Sequence, residues 1–301
     1  MFAGTFGRFP LKKQQITVRV PATTSNLGPG FDCLGVALQL YNFVTVARGS
    51  EIEAGEMARQ AARQFLRAAD CEPFGFRCTV EGEVPCSRGL GSSVTIRLGV
   101  LHALNALFDY PLKRAQIFGL CAELEGHPDN AAPAEFGGFV VARRNRHQKF
   151  PVDPRLSFVL LIPTFEVRTA EARGVLPNEV DRLRAVESCG NACAITAAFA
   201  SGSYENLRGT WHDHLHQPFR AKFVPFLDSV IAAGESAGAL GGFLSGSGST
   251  VACVTLKAPE KVAIAMRDAS GLDQAETRVT CADNDGARIV ETILHSDAPL
   301  A

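Results

Sequence analysis

A chain of 301 residues, 46% of them hydrophobic, is long enough for one large unit or two intimately joined ones, and two are expected. Its 30 basic and 31 acidic residues leave a formal net charge of -1, too little to draw in nucleic acid or an anionic membrane surface, so an anionic ligand must be held locally. Nine cysteines, scattered from Cys33 to Cys281 without a C-x-x-C pair, read as reduced thiols, and the closely spaced Cys189 and Cys193 as core filler.

In chain order, Met1 to Gln15 carries Arg8, Lys12 and Lys13 but no apolar block with a cleavage site, which makes a loose arm the expectation and a secretory leader not. Segments rich in β-branched and aromatic residues predict strands at Val18 to Val20, Val36 to Val46, Phe76 to Val80 and Phe139 to Ala142. Helical spacing predicts a helix over Glu53 to Ala69, with Met57, Ala61, Phe65 and Leu66 on one face. It predicts another over Ser92 to Leu107, with Val94, Leu98, Leu101 and Leu104 on one face. A polar stretch with two prolines, Gln148 to Ser157, divides the chain into 1–155 and 156–301. Beyond it come a strand at Phe158 to Ile162, helices near Ala192 to Phe199 and Val224 to Ala233, a strand at Val251 to Leu256 and a helix over Glu260 to Ala269. No apolar run approaches the roughly 18 residues that a membrane span needs.

Chemistry concentrates in glycine-rich stretches. Pro85, Cys86, Ser87, Arg88, Gly89, Leu90, Gly91, Ser92 and Ser93 follow a strand and open a helix, the setting in which backbone N–H groups and a helix N-terminus hold phosphate. Ser92 or Ser93 would cap that helix or turn a hydroxyl toward phosphate or Mg2+. The Walker lysine is missing and the glycine spacing is not G-x-G-x-x-G, so neither common nucleotide fingerprint applies. Taken alone, the segment reads more readily as a glycine turn with a serine cap. Two further loops, P-A-T-T-S-N-L-G-P-G-F-D from Pro21 to Asp32 and L-S-G-S-G-S-T from Leu244 to Thr250, suggest one shared cleft.

With these three loops in this order, the chain resembles the GHMP kinases, and within them the homoserine kinases. The narrower resemblance is carried by N-L-G-P-G-F-D-C-L-G (Asn26 to Gly35), E-G-H-P-D-N-A-A-P (Glu125 to Pro133), T-A-E-A-R-G-V-L-P (Thr169 to Pro177) and L-H-Q-P-F-R (Leu215 to Arg220). It implies an α+β, two-domain architecture: an N-terminal domain like ribosomal protein S5 domain 2, holding ATP, and a ferredoxin-like C-terminal domain. It also implies a cytoplasmic enzyme of threonine biosynthesis that phosphorylates L-homoserine, and leaves a homodimer open.

Residue by residue, the resemblance implies ATP contacts along Pro85 to Ser93 and substrate contacts at Asn26, Asp32, His127, Thr169, Arg173 and Arg220. Asp32 would face the ammonium, while Arg173 and Arg220 would clamp the carboxylate. Ser93 and Glu125 would hold Mg2+, with Glu123 as a substitute two residues earlier. Asp129 would contribute to catalysis without being a proven base, since phosphoryl transfer rests mainly on positioning and electrostatics. Arg97 is expected to face solvent. Alternatives are another small alcohol, such as mevalonate or a sugar, and a binding relative without turnover.

Overall fold

Alternation in Ile16-Thr17-Val18-Arg19-Val20 sets the first strand, because in an extended chain successive side chains point to opposite faces. Ile16, Val18 and Val20 are fully buried. The structure, a computed structural model, describes residues 13–144 and 146–294. Most of the expected N-terminal arm lies outside these residues, and its last part is strand: β1 runs Lys13–Ser25 and takes in half of the first glycine-rich motif. Pro21 is tolerated there because the β1–β2 register shifts between Pro21 and Ala22.

The other strands are β2 (Leu34–Arg48), β3 (Phe76–Gly82), β4 (Phe139–Arg143), β5 (Arg146–Phe150), β6 (Ser157–Pro163), β7 (Gly241–Leu244), β8 (Val251–Thr255), β9 (Ala275–Cys281) and β10 (Arg288–Leu294). Helices are α1 (Glu56–Ala68), α2 (Ser92–Leu107), α3 (Arg114–Glu125), α4 (Ala131–Phe136), α5 (Thr169–Gly174), α6 (Arg182–Ser201), α7 (Gln217–Arg220), α8 (Leu227–Ser236) and α9 (Pro259–Ser270).

One antiparallel sheet has the order β10-β1-β2-β4-β5, with β3 also on β2, and the second has the order β7-β8-β6-β9. The second sheet with α8 and α9 follows the sequence β6-α8-β7-β8-α9-β9, a split βαβ arrangement of the ferredoxin type. Strand β10 returns to the first sheet beside β1.

A core of Val18, Val44, Phe65, Leu101 and Phe118 sits between the first sheet and its helices. Another, with Leu27, Leu90, Phe139, Phe158 and Trp211, bridges the two sheets. The predicted helices are present, α2 with the expected ends and the others with shifted ones. The helix near Ala192 starts earlier, as α6, because the Asp181 side chain accepts from the N–H groups of Leu183 and Arg184. Cys189 and Cys193 are exposed on it rather than core filler. Met57, expected on the buried face of α1, is 43% exposed. Among the described residues no helix is long and apolar enough to cross a membrane.

Candidate functional site

The three glycine-rich loops are stitched together by backbone. Thr23 N–H donates to Leu90 O, Gly246 N–H to Ser25 O and Thr250 N–H to Arg88 O. The Asn26 amide donates to Gly246 O at 3.0 Å, and Ser245 Oγ to Gly89 O at 2.7 Å. Close approach explains the glycines. Gly89 has φ +74° and a Cβ there would lie 2.1 Å from Ser245 O; Gly91 has φ +68° and its Cβ would meet Thr23 Oγ1 at 2.1 Å. Gly91, not a serine, occupies the N-cap of α2, so Ser92 and Ser93 are the helix's first residues. Their hydroxyls are therefore not used as caps, and the first-turn N–H groups face the loop.

Ser93 Oγ donates to Glu125 Oε2 at 2.9 Å. Arg97, one turn after Ser93, is paired with Glu125 Oε1 and is only 14% exposed at its side chain, so it does not face solvent as its sequence position suggested. Glu123 is exposed and accepts from Gln64 at 2.8 Å, which leaves Glu125 as the carboxylate beside the loop. A hydroxyl and a carboxylate at a helix N-terminus are hard oxygen donors of the kind Mg2+ takes alongside phosphates, so the residues fit that ion. Asp32, His127 and Asp129 also bring potential ligand atoms within 4.8 Å of one another. Of these, Asp32 is paired with Arg173 and Asp129 with His127.

Asp32 has φ +58° and its N–H donates to Asn26 Oδ1 at 3.0 Å, which fixes the strained turn. Its carboxylate receives a two-pronged pair from Arg173, Nη2 to Oδ1 at 2.6 Å and Nη1 to Oδ2 at 3.1 Å. Arg220 on α7 lies beside it, only 2% exposed. Its bonds go to neutral acceptors: Nε to Ala172 O, and Nη1 to Gly246 O and His216 Nδ1. Burial, then the charge of Arg173, pushes its pKa down to about 10 despite the opposing pull of Asp32, Asp129 and Asp213. Both guanidinium groups lie over the Phe31 ring, at 5.5 and 5.2 Å from its centroid.

His127 Nδ1 and Asp129 Oδ1 are 2.6 Å apart. Burial pulls the imidazole down, but the hydrogen bond and charge of Asp129 outweigh it and leave the His127 pKa raised. Burial likewise raises Asp129, while His127 and a bond to Ser25 hold it below its ordinary value. The stabilisation from His127 is complete below its ordinary 6.5 and lost as pH rises through the higher folded value. That from Asp129 is complete above 3.8 and lost as pH falls through the lower folded value. Urea unfolding of the wild type and Asp129→Asn is therefore expected to differ most between these limits, with the gap narrowing from pH 6 to pH 9. A constant gap would contradict the pair.

These groups converge on a cavity of about 200 Å³. Asn26, Asp32, Ser87, Arg88, Gly89, Gly91, Ser92, Ser93, Glu125, His127, Asp129, Thr169, Arg173 and Arg220 line it, as the sequence motifs suggested, while Pro85 and Leu90 do not. Leu90 is 1% exposed and packs in the core instead. Arg88 lines the wall but spends its donors on Pro163 O, Cys86 O and Thr164 O, and pairs with Glu166 at 3.3 Å. Thr169 Oγ1 is 3.5 Å from Ser247 Oγ. Sequence reasoning missed Ser25, Asn130, Met57 and Ile96, which also line the cavity. Asn130 stood in the quoted H-P-D-N string; nothing local marked the two apolar residues.

The family descriptions "GHMP kinases N terminal domain" and "GHMP kinases C terminal" match residues 56–138 and 197–270. A homoserine kinase of Caldicellulosiruptor bescii is 37% identical over 257 residues, covering 78% of this chain and 83% of that protein. One of Clostridium beijerinckii is 34% identical over 294 residues, covering 92% and 99%. The crystal structure of homoserine kinase from Cytophaga hutchinsonii superposes with a TM-score of 0.84 at 25% identity, over 96% of this chain and 100% of that one. The loops, the cavity and these relatives agree: the chain belongs to the homoserine kinase family of the GHMP kinases.

Proposed function

We propose that the chain transfers the γ-phosphoryl group of ATP to the hydroxyl of L-homoserine, giving O-phospho-L-homoserine in threonine biosynthesis. The supporting observation is the set of opposite charges, Asp32 against Arg173 and Arg220, in the same cavity as the glycine loop at the start of α2. A zwitterion can exchange partners with that set, its ammonium taking Asp32 and its carboxylate the two arginines. A neutral sugar offers nothing to either. Mevalonate would satisfy the arginines and leave Asp32 without a cation.

In this reading the N–H groups of residues 89–93 hold the phosphates, and the apolar flank, Met57 and Ile96, gives the base a resting surface. Ser93 and Glu125 would hold Mg2+, which neutralises charge on the transferring group. Asn26 and Asp32 orient the acceptor for in-line attack. Asp129, ionised and held by His127, assists by electrostatics near the hydroxyl. The proposal places the enzyme in the cytoplasm, admits a homodimer, and keeps the two-unit division near residue 155, with β10 completing the sheet of the first unit.

The test is an ADP-release assay with ATP, Mg2+ and, in turn, homoserine, mevalonate, galactose and serine. Turnover on homoserine should exceed the others by on the order of 100-fold or more, since a site built for polar groups rejects acceptors that leave them unpaired. Preference for mevalonate or galactose would reassign the substrate. Turnover on none would make the chain a binding relative.

A further inference from the structure

Within Leu215 to Arg220 the proposed carboxylate contact involves only the arginine. Yet His216, fully buried, is in direct contact with it: Arg220 Nη1 lies 3.2 Å from His216 Nδ1. A guanidinium has donors and no acceptor, so Nδ1 must present a lone pair and the ring proton must sit on Nε2. Nε2 in turn donates to Gly28 O at 2.9 Å, in the first glycine-rich loop. The ring stacks on Phe31, centroids 5.2 Å apart and planes inclined by 25°. Asp213 does not take the ring proton by a close bond; its Oδ2 is 3.5 Å from Nε2 and caps α7 by accepting from the N–H groups of His216 and Gln217. Burial, opposed by Asp213, holds the imidazole down at about 4, which keeps it neutral.

We propose that His216 is a positioning residue for the acceptor's carboxylate: its Nε2–H tautomer is anchored on Gly28, and its Nδ1 lone pair fixes the plane of the Arg220 guanidinium. With Nε on Ala172 O and Nη1 on Gly246 O and His216, the Nη2 donors are the ones left to meet a carboxylate. The histidine thus couples the loop carrying Asp32 to the arginine, and sets the ammonium and carboxylate sites at a fixed separation. The inference rests on the proposed contact between Arg220 and the homoserine carboxylate.

Two variants separate this from a structural role. His216→Gln keeps a donor toward Gly28 O and removes the acceptor at Nδ1, whereas His216→Asn keeps a polar group near Nδ1. Steady-state kinetics on homoserine are compared with the inhibition constant of 3-aminopropan-1-ol, which is homoserine without its carboxylate. For His216→Gln the homoserine KM should rise ~10–100-fold, with kcat and the ATP KM changing far less, and the aminopropanol constant should move less than threefold. His216→Asn should recover most of the loss. Equal losses on both compounds, or an unchanged homoserine KM, would overturn the proposal. Nitrogen NMR of the wild-type ring is a second measurement that needs no variant: a proton on Nδ1 would overturn it as well. Arg220→Ala run alongside tests the parent reading, because no effect there on homoserine KM would refute the carboxylate contact itself.

Discussion

Glu125→Ala is expected to fail in catalysis and in stability for different reasons. Glu125 is 8% exposed and is held by two donors, Ser93 through Oε2 and Arg97 through Oε1. Removing it withdraws the proposed metal carboxylate, and a lost electrostatic stabiliser of the transferring group lowers kcat by ~10²–10³-fold. It also strands Arg97, whose Nε has no hydrogen-bond partner among the described residues. Leaving one member of a buried pair alone costs about 3–5 kcal/mol, and the partial exposure of Arg97 places this case at the lower end. Glu125→Gln should retain most of the stability, since an amide oxygen still accepts from Arg97, while kcat stays low. Glu125→Ala combined with Arg97→Leu should refold to near wild-type stability and remain inactive. Urea unfolding and single-turnover rates measure the two effects independently. A kcat for Glu125→Gln within threefold of wild type would remove Glu125 from the metal site.

The strings that line the cavity were legible in the sequence, and the reason is local chemistry. Glycines at 89 and 91 are demanded by close approach and positive φ, so the loop is visible as a string. Asp32 stands in one of the three glycine-rich loops that suggested one cleft, and Arg173 and Arg220 in strings that carry the family resemblance. What could not be read is contact between distant segments. Arg97 looks like a surface residue until α3 brings Glu125 against α2. Met57 satisfies the apolar periodicity of α1 and yet faces the cavity, because the pattern marks a face without saying what covers it. Likewise β10 gives no sign in sequence that it pairs with β1, more than 260 residues earlier. The proline-bearing stretch between β5 and β6, which a linear reading detects, is where the proposed two-unit division falls.

Arg220→Ala is the sharper test of what the cavity recognises. A guanidinium only 2% exposed, bonded to two backbone carbonyls and a neutral imidazole, is not a structural ion pair. Burial and the charge of Arg173 push its pKa down to about 10 against the pull of Asp32, Asp129 and Asp213. A carboxylate arriving at Nη2 would offset that cost. Loss of the carboxylate contact is expected to lower kcat/KM for homoserine by ~2–4 kcal/mol, or about 30–1000-fold, mostly through KM and with the ATP KM spared. Arg220→Lys should recover little, because an ammonium cannot make the planar two-pronged contact. Stability should move little. Arg220→Met, similar in length and apolar, removes the buried charge but leaves Ala172 O, Gly246 O and His216 Nδ1 without their donor, so its melting temperature is expected to stay close to that of the wild type. Thermal denaturation beside homoserine kinetics decides it: a Met variant that melts much lower and loses activity on every acceptor alike would mean that Arg220 holds the fold and not the substrate.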